Sequence, residues 1–196
     1  VIIAEETSKS IYRRIHDIKF STKYFVGTGI DIGAGEDNLG NYTYIFPKLI
    51  DVFPWDVSNG DAQYLQSVSD NFFDFVHSSH CLEHLHDPYI GLQNWWRVLK
   101  PGGYMIVIIP DEDLYEQGVF PSKFNGDHKW TFTIYKEKSW CEKSINLFDI
   151  IKSLDRYKIC KLELLDSTFN YDIKNQDQTM TSCLTESAIE FILQKL

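Results

Sequence analysis

Short apolar runs alternate along the chain with segments in which apolar residues recur every three or four positions. Each apolar run predicts a strand, and residues 104–109 have the near-continuous pattern of a strand covered on both faces. The predicted strands occupy residues 24–32, a poorly bounded part of 43–55, 72–77, 104–109 and 158–165. Helical spacing appears in residues 5–19, 88–99 and 144–154. Strands that alternate with helices indicate an α/β fold.

Two of the predicted helices have distinct sequence features. Ile11, Ile15 and Ile18 fall on one face of the first helix, which is therefore the face expected to be buried. Asp87 and Pro88 supply a capping carboxylate and an N1 proline at the start of the second helix. That helix is expected to stop at the Pro-Gly-Gly sequence of residues 101–103.

Two segments are not settled by periodicity. Residues 110–140 are polar and aromatic without a clear repeat, and a loop of this length inside a compact domain is usually functional. Residues 188–193 are apolar enough for either a helix or a strand.

Composition narrows the class of protein. The chain has 196 residues, 43% of them apolar, which favours one domain with a real core. Its net charge of −9 argues against a nucleic-acid partner, and no apolar run approaches the length of a membrane span. The four cysteines lie far apart, so neither a zinc ribbon nor a disulfide scaffold is expected, and a reducing cytoplasm is the simplest compartment.

The first strand runs into a glycine turn, Asp31-Ile32-Gly33-Ala34-Gly35. Glycine has no Cβ and lets a nucleotide-like ligand approach the backbone, although such turns also occur for backbone reasons alone. Asn38 stands where the dinucleotide-binding fingerprint has its third glycine, which disfavours a dehydrogenase. Asp56 follows Gly35 by 21 positions, the spacing of a carboxylate that binds a ribose diol, but Asp56 and Asp61 would also suit turn caps.

A larger pattern spans residues 26–110. The segments GIDIGAG, GDAQYL, FDFVHSSHCLEHLHDP, NWWRVLKPGG and YMIVIIP follow one another in an order that resembles the class I S-adenosylmethionine-dependent methyltransferases. The resemblance implies a Rossmann-like, doubly wound sheet of seven strands in the order 3-2-1-4-5-7-6, with helices on both faces. The last strand would be antiparallel and would contain residues 188–193. Residues 1–196 are then expected to form a single methyltransferase domain, with an N-terminal helix in 1–22 and a substrate loop region in 110–140.

The resemblance also implies which residues bind S-adenosylmethionine. The glycine turn would surround the methionine part, Asp56 would bind the ribose, one pair would lie beside the adenine, and two serines would border the methyl group. These residues are Asp31, Gly33, Ala34 and Gly35 in the turn, Asp56, the pair Asp61 and Ala62, and the serines Ser78 and Ser79. Asp37 replaces a glycine that many members have. Only four residues separate Asp56 from Asp61, so either this layer is reduced or Asp51 binds the ribose instead.

Methyl transfer needs an acceptor atom in line with the methyl group and often a base. His80 and His128 are the candidate catalytic bases. The residues predicted to bind the acceptor are Asp111, Asp113, Tyr115, Asn125 and Asp127, whose carboxylate, amide and aromatic groups suit a molecule rich in hydroxyls. His80, Glu83 and His84 also spell the HxxEH pattern of a zinc protease, which the surrounding methyltransferase segments argue against. We therefore expect no metal ion here. The alternative that these three residues and His128 bind a divalent ion remains open.

The stretches DEDLYEQG and DHKWTF are similar to small bacterial methyltransferases of surface-polysaccharide synthesis. The expected function is therefore O-methylation of a sugar, nucleotide-linked or free, in capsule or O-antigen synthesis, by a monomer or homodimer. Methylation of another small molecule at nitrogen or oxygen is the alternative within enzymes. A non-catalytic binding module with the same fold is the alternative outside them.

Overall fold

A computed structural model describes residues 5–196 and contains eight strands within them. The strands are β1 (Gly27–Ile32), β2 (Leu49–Trp55), β3 (Phe73–Ser79), β4 (Leu99–Pro110), β5 (Thr131–Thr133), β6 (Ser144–Asn146), β7 (Tyr157–Leu165) and β8 (Ala188–Lys195). The α-helices are α1 (Glu6–Arg14), α2 (Pro88–Val98) and α3 (Leu147–Ile151). Short 3₁₀ turns cover Leu39–Ile45, Val57–Asn59, Leu82–His84 and Gln178–Met180, and π-helical turns cover Phe20–Tyr24 and Glu112–Glu116. No helix of the described residues is both long and apolar enough to cross a bilayer.

The main sheet has six strands in the order β2-β1-β3-β4-β8-β7. β1 pairs in parallel with β2 and β3, and β3 pairs in parallel with β4. β8 runs antiparallel to both β4 and β7, as the resemblance implies for the last strand. β5 and β6 form a separate two-stranded parallel sheet.

The prediction of seven strands is wrong by one edge strand. The missing strand would lie outside β2, but the 17 residues between β2 and β3 contain a single 3₁₀ turn. A crossover between parallel strands already needs about a dozen residues, so this connection has no room for a further helix and strand. The short spacing between Asp56 and Asp61 therefore reflects the absence of a helix and a strand at this edge of the sheet, which is the first of the two alternatives given above.

Helical segments cover both faces of the sheet, as predicted. On one face Leu92 and Trp95 of α2 and Ile150 of α3 are fully buried in the larger apolar core. On the other face Ile11 of α1 packs in a second apolar cluster with the Phe20 side chain. α2 begins where the sequence predicts, because Asp87 Oδ1 accepts hydrogen bonds from the backbone N–H groups of residues 89 and 90.

The first predicted helix is shorter and buries a different face. α1 ends at Arg14, and Ile15 and Ile18 are 46% and 70% exposed. The buried residues of α1 include Arg14, which donates to polar side chains of the sheet, and Lys9, which donates to Glu6 and to the carbonyl of Thr179.

The third predicted helix and the substrate loop region also differ from expectation. Residues 144–146 form β6 before α3 begins. Residues 110–140 contain the Glu112–Glu116 turn and β5, and β5 is held by pairing with β6, a long-range contact that local periodicity does not record.

Candidate functional site

The glycine turn closes tightly at the carboxyl end of β1. Gly33 has a φ of +76°, and a Cβ there would lie 2.6 Å from the Cβ of Cys81. Gly35 also has a positive φ, but its Cβ position faces open space. The backbone N–H groups of Gly33 and Ala34 both donate to the carbonyl of Trp55, which fixes the turn against the end of β2. Gly33 is thus required by packing, and Gly35 by backbone conformation.

A cleft of about 480 Å³ opens beside this turn, and we call it the glycine-turn cleft. Residues 33, 55–57, 60–63, 81 and 84–86 line it. Asp56, Asp61 and Ala62, all predicted from the sequence, are among these residues. One carboxylate oxygen of Asp56 accepts from the N–H of Val57, and one of Asp61 accepts from the N–H of Gln63. Both acids therefore cap turns and border the cleft at once.

Asp51 lies elsewhere. Asp51 pairs in register with Thr28 on β1. It precedes Trp55 by four residues on β2, which places it about 13 Å from the end of that strand. Its side chain lines a separate groove of about 410 Å³ at the open edge of β2, next to Phe53 and Phe72. Of the two candidate ribose ligands, the structure places only Asp56 at the glycine-turn cleft.

Asp31 supports the turn from below. Its Oδ1 lies 2.6 Å from His77 Nδ1, and its Oδ2 accepts the N–H of Leu39 at 2.7 Å. Asp37, which stands in place of a glycine, accepts the N–H of Ser8 at 2.8 Å and so ties α1 to the loop after β1. Both acids shape the loop through protein contacts.

The two predicted serines lie at the carboxyl end of β3. Ser78 Oγ donates to the carbonyl of Ile32 at 2.9 Å and is fully buried, so it joins β3 to β1. Ser79 Oγ is buried and makes no hydrogen bond with any described residue. Of the two serines, Ser79 is therefore the one whose hydroxyl has no protein partner among the described residues.

His80, the next residue, links α1 to this edge of the sheet. Its Nε2 lies 3.4 Å from a carboxylate oxygen of Glu6, and its Nδ1 lies 3.4 Å from Glu83 Oε1. Burial disfavours the charged imidazole, but the two carboxylates outweigh it and raise the pKa of His80 to about 10. His80 is therefore a cation at neutral pH and has no lone pair with which to act as a base.

His128 is buried and held from behind. Its Nδ1 lies 2.7 Å from Glu116 Oε1, and its ring packs against Tyr115 with centroids 5.1 Å apart. A carboxylate opposite Nδ1 favours the tautomer with the proton on Nδ1, and in the neutral form of that tautomer Nε2 has the lone pair. Nε2 lies 4.0 Å from Glu83 Oε1.

Glu83, His84 and His128 form one group of potential metal ligands. One ligand atom from each residue lies within 4.8 Å of the other two. His84 Nε2 is 3.8 Å from Glu83 Oε1, and its Nδ1 is 3.0 Å from the Asp127 carboxylate. His80 contacts Glu83 from outside this group. The sequence pattern HxxEH thus brings together only two of its own three residues, and His128 supplies the third.

A second cavity, of about 750 Å³, lies beside His128, and we call it the insertion cavity. It is lined by residues 118–121, 126, 128, 129 and 140–143. The side chains of Lys129, Trp140, Glu142 and Lys143 give it an aromatic and charged wall that the sequence analysis missed. These residues come from a segment without periodicity, and only its density of aromatic and charged residues indicated a binding role.

The residues predicted to bind the acceptor organise the walls around this cavity. Asp111 is fully buried and accepts the N–H groups of residues 113 and 114, and burial raises its pKa to about 7. Asp113 contacts the side chains of residues 135, 136 and 140. Asn125 accepts the N–H of Asp127, whose carboxylate contacts His84. Tyr115 packs on His128. None of these five is among the residues that line the insertion cavity.

Comparison with known proteins identifies the fold. Residues 22–107 match the family described as a methyltransferase domain. A segment of 58 residues is 41% identical to an uncharacterized methyltransferase of Schizosaccharomyces pombe, and it covers 30% of this chain but only 20% of that protein. The chain thus spans about one fifth of the length of this relative.

Solved structures agree with this match. A putative S-adenosylmethionine-dependent methyltransferase from Listeria monocytogenes superposes with a TM-score of 0.60 at 10% identity, over 97% of this chain and 99% of its own. One from Archaeoglobus fulgidus gives 0.59 at 18% identity, over 95% and 92%. A putative methyltransferase from Bacillus halodurans gives 0.55 at 13% identity, over 92% and 94%. The chain therefore has the α/β Rossmann-like fold of these methyltransferases.

Proposed function

We propose that this chain is an S-adenosylmethionine-dependent methyltransferase that acts on a small molecule. The observation that carries the proposal is the pair of cavities that meet at His84 and His128. His84 lines the glycine-turn cleft and His128 lines the insertion cavity, and their ring centroids are 4.9 Å apart. A transfer reaction needs two ligands that approach each other at one point, and this pair borders both cavities.

The glycine-turn cleft suits the cofactor. Its volume falls within the range of about 300–1,000 Å³ that is usual for small-molecule sites. Asp56 would accept the ribose hydroxyls, Asp61 and Ala62 would border the adenine, and Ser79 Oγ would face the methyl-bearing end. Gly33, Ala34 and Gly35 would surround the methionine part, with Asp31 and Ser78 holding that loop from behind. S-adenosylmethionine supplies a methyl group already activated for transfer, so the chain's own task is to position the acceptor and manage its proton.

The insertion cavity suits a sugar, and we propose an O-methylation of a sugar or nucleotide sugar of the kind used in capsule or O-antigen synthesis. Trp140 offers a ring face for stacking, Glu142 can accept hydroxyls, and Lys129 and Lys143 can bind an anionic group. Asp111, Asp113, Tyr115, Asn125 and Asp127 would act by ordering this segment, with the whole chain forming one cytoplasmic domain that works as a monomer or homodimer.

The proton of the acceptor hydroxyl needs a recipient, and His128 is the residue that we propose. Its Nδ1 proton is held by Glu116, which leaves Nε2 free to accept. His80 would position the site as a cation. We expect His128→Ala to lower turnover about 100-fold or more with little change in cofactor affinity.

Calorimetry with S-adenosylmethionine and its demethylated product tests the cofactor site. Asp56→Asn should weaken binding by about 10- to 100-fold, because a charged acceptor for two ribose hydroxyls becomes a neutral acceptor for one. Asp51→Asn is the matched control, since this residue lies on β2, outside the cleft, and the variant should bind as the wild type does. A wild-type protein that binds neither ligand at millimolar concentration would contradict the proposal and favour a non-catalytic module.

Incubation with labelled cofactor and a panel of nucleotide sugars tests the acceptor. Transfer to at least one sugar is expected. Transfer to a peptide or an aromatic metabolite, with none to a sugar, would leave a methyltransferase but overturn the sugar assignment.

A further inference from the structure

Three hydrogen-bond acceptors face one another in the interior. Glu83 is fully buried, and neither of its carboxylate oxygens has a hydrogen-bond partner among residues 5–196. Around Oε1, Nδ1 of His80 lies at 3.4 Å without hydrogen-bond geometry, and Nε2 of His84 and Nε2 of His128 lie at 3.8 Å and 4.0 Å. A buried carboxylate without donors is costly, so this arrangement calls for an occupant that the protein chain does not supply.

The outer nitrogens of both rings fix which atoms point inward. His128 Nδ1 is held by Glu116 at 2.7 Å and His84 Nδ1 by Asp127 at 3.0 Å. In the neutral tautomer that donates Nδ1–H to the outer carboxylate, each ring has its lone pair on Nε2, the nitrogen 3.8 or 4.0 Å from Glu83 Oε1. Carboxylates behind the ring are the usual second shell of histidines that bind metal, where they fix the tautomer and make the ligand more basic.

We propose that Glu83, His84 and His128 bind one divalent transition-metal ion, with zinc as the reference case. Two imidazoles and one carboxylate suit zinc and its neighbours and are poor ligands for magnesium or calcium, which prefer oxygen. Ligands on a tetrahedral zinc lie about 3.4 Å apart, whereas here they lie within 4.8 Å. Side-chain movements of about 1 Å would close the site. Three protein ligands leave at least one coordination position for another molecule.

The position of the ion gives it a role in the proposed function, on which this part of the inference rests. The histidine pair borders both cavities, so the open position can take an acceptor hydroxyl. The cation lowers the pKa of an oxygen bound to it, which makes the hydroxyl easier to deprotonate. In the loaded protein, His128 Nε2 is a ligand and no longer accepts the proton. The ion would lower the pKa of the acceptor hydroxyl enough for its proton to pass to solvent water, and His128 would hold the ion.

His80 offers the competing explanation for Glu83. Its Nδ1 lies 3.4 Å from Glu83 Oε1, and an ion pair with His80, itself shared with Glu6, could be the whole reason for a carboxylate here. That explanation accounts for the charge of Glu83 but not for two histidine lone pairs directed at it. It predicts that the purified chain has no specific affinity for zinc.

Metal binding by the full chain, stripped with a chelator, separates the two explanations. Calorimetry and metal analysis after dialysis should show one zinc per chain and at least tenfold weaker binding of magnesium. Cobalt should bind at the same site and give the visible absorption of a tetrahedral ion. Glu83→Gln and His84→Ala should each weaken zinc binding by 100-fold or more, and Glu116→Gln, behind His128, by about 10- to 100-fold.

His86→Ala is the matched control, because His86 lines the glycine-turn cleft next to this group but is not part of it. It should bind zinc as the wild type does. Circular dichroism of each variant before metal addition separates lost ligands from lost folding. Absence of stoichiometric zinc binding in the wild type, or unchanged affinity in folded Glu83→Gln, would overturn the site.

The catalytic part has its own outcome. Zinc should raise the methylation rate of the stripped protein at least tenfold without changing its affinity for S-adenosylmethionine. A rate that is independent of zinc but lost in His128→Ala would overturn the ion's role and leave His128 as the base. A stripped protein that binds zinc but no S-adenosylmethionine would contradict the proposed function and leave the metal site standing.

Discussion

Two buried polar clusters lie on the same sheet, and they are built in opposite ways. The first, which we call the Arg14 network, lies beneath α1. Arg14 donates to Glu190 through Nε and Nη2 and to His77 Nε2 through Nη1, and His77 in turn contacts Asp31. In this network every acceptor meets a donor.

The Glu83–His84–His128 group is the second cluster, and in it acceptors meet acceptors. Apart from the histidines of the group itself, His80 is the one cationic neighbour of Glu83 among the described residues. It lies at ion-pair distance but without hydrogen-bond geometry. The Arg14 network is complete as folded and serves stability. The second cluster is incomplete as folded, which is how a site built for a ligand differs from one built for packing.

The sharpest way to break this comparison is to neutralise the central carboxylate of each cluster. Burial opposes ionisation of Glu190, but Arg14, Arg13 and Lys161 hold its pKa far below the usual range. Glu190→Gln leaves the fully buried Arg14 without its counter-charge, so we expect a loss of about 3–5 kcal/mol in the free energy of unfolding. Urea denaturation at pH 7 measures this loss.

Glu83→Gln is the matched variant in the metal-free protein. It removes an equally buried carboxylate whose close charged partner is His80, 3.4 Å away without hydrogen-bond geometry. The loss in the free energy of unfolding should therefore be about 1–2 kcal/mol, well below that of Glu190→Gln. A loss as large as that of Glu190→Gln would mean that Glu83 is a structural charge, and the contrast between the clusters would disappear.

Local sequence rules predicted most of the sheet and one side of the site. β3, the cap of α2 and the glycine turn depend on residues close together in sequence, and these were located correctly. β4 was also predicted, but it begins at Leu99, five residues before the predicted start, and contains the Pro-Gly-Gly sequence. The number of strands was wrong, because the expectation came from a family pattern while the chain between β2 and β3 is too short to follow it. The buried face of α1 was missed because apolar periodicity does not anticipate a helix that packs on charged groups.

A second prediction concerns the link between α1 and the second cluster. Burial opposes ionisation of Glu6, but His80 and Lys9 lower its pKa to about 2, while Glu6 and Glu83 raise the pKa of His80 to about 10. Glu6→Gln should therefore lower the pKa of His80 by at least one unit toward 6.5, as measured by NMR titration of its ring protons. His16, on the exposed side of the chain, is the reference signal and should not move.

The same pair sets a window of pH. The lowered pKa of Glu6 contributes stability that is present above about 4.5 and lost as the pH falls toward 2. The raised pKa of His80 contributes stability that is present below about 6.5 and lost as the pH rises toward 10. Their joint contribution to stability is greatest between about pH 4.5 and pH 6.5. Glu6→Gln should therefore reduce the free energy of unfolding most in this window, by about 1.5–3 kcal/mol. An equal loss at pH 5.5 and pH 10 would show that Glu6 acts through packing alone.

The other side of the site depends on contacts that no local pattern records. His128 meets Glu116 and Glu83 across 12 and 45 positions, and the insertion cavity forms because β5 and β6 pair. The sequence singled out His128 as a candidate but gave no sign of Glu116 behind it. Asp37 looked like a departure from a family glycine, and its reason, the contact with Ser8 of α1, is visible only when the helix is in place.

The smallest expected effect lies at the rim of the Arg14 network. Lys161 Nζ contacts Glu190 at 2.6 Å, but the lysine side chain is 22% exposed and Glu190 keeps both arginines without it. Lys161→Met preserves the aliphatic stem and removes the charge, so we expect a loss of about 0.5–1 kcal/mol in the free energy of unfolding at low salt, reduced further at 1 M salt. Urea denaturation at both salt concentrations measures it. A loss near that of Glu190→Gln would show that Glu190 needs all three of its cationic partners. The stability of the network would then not depend on the buried arginine alone.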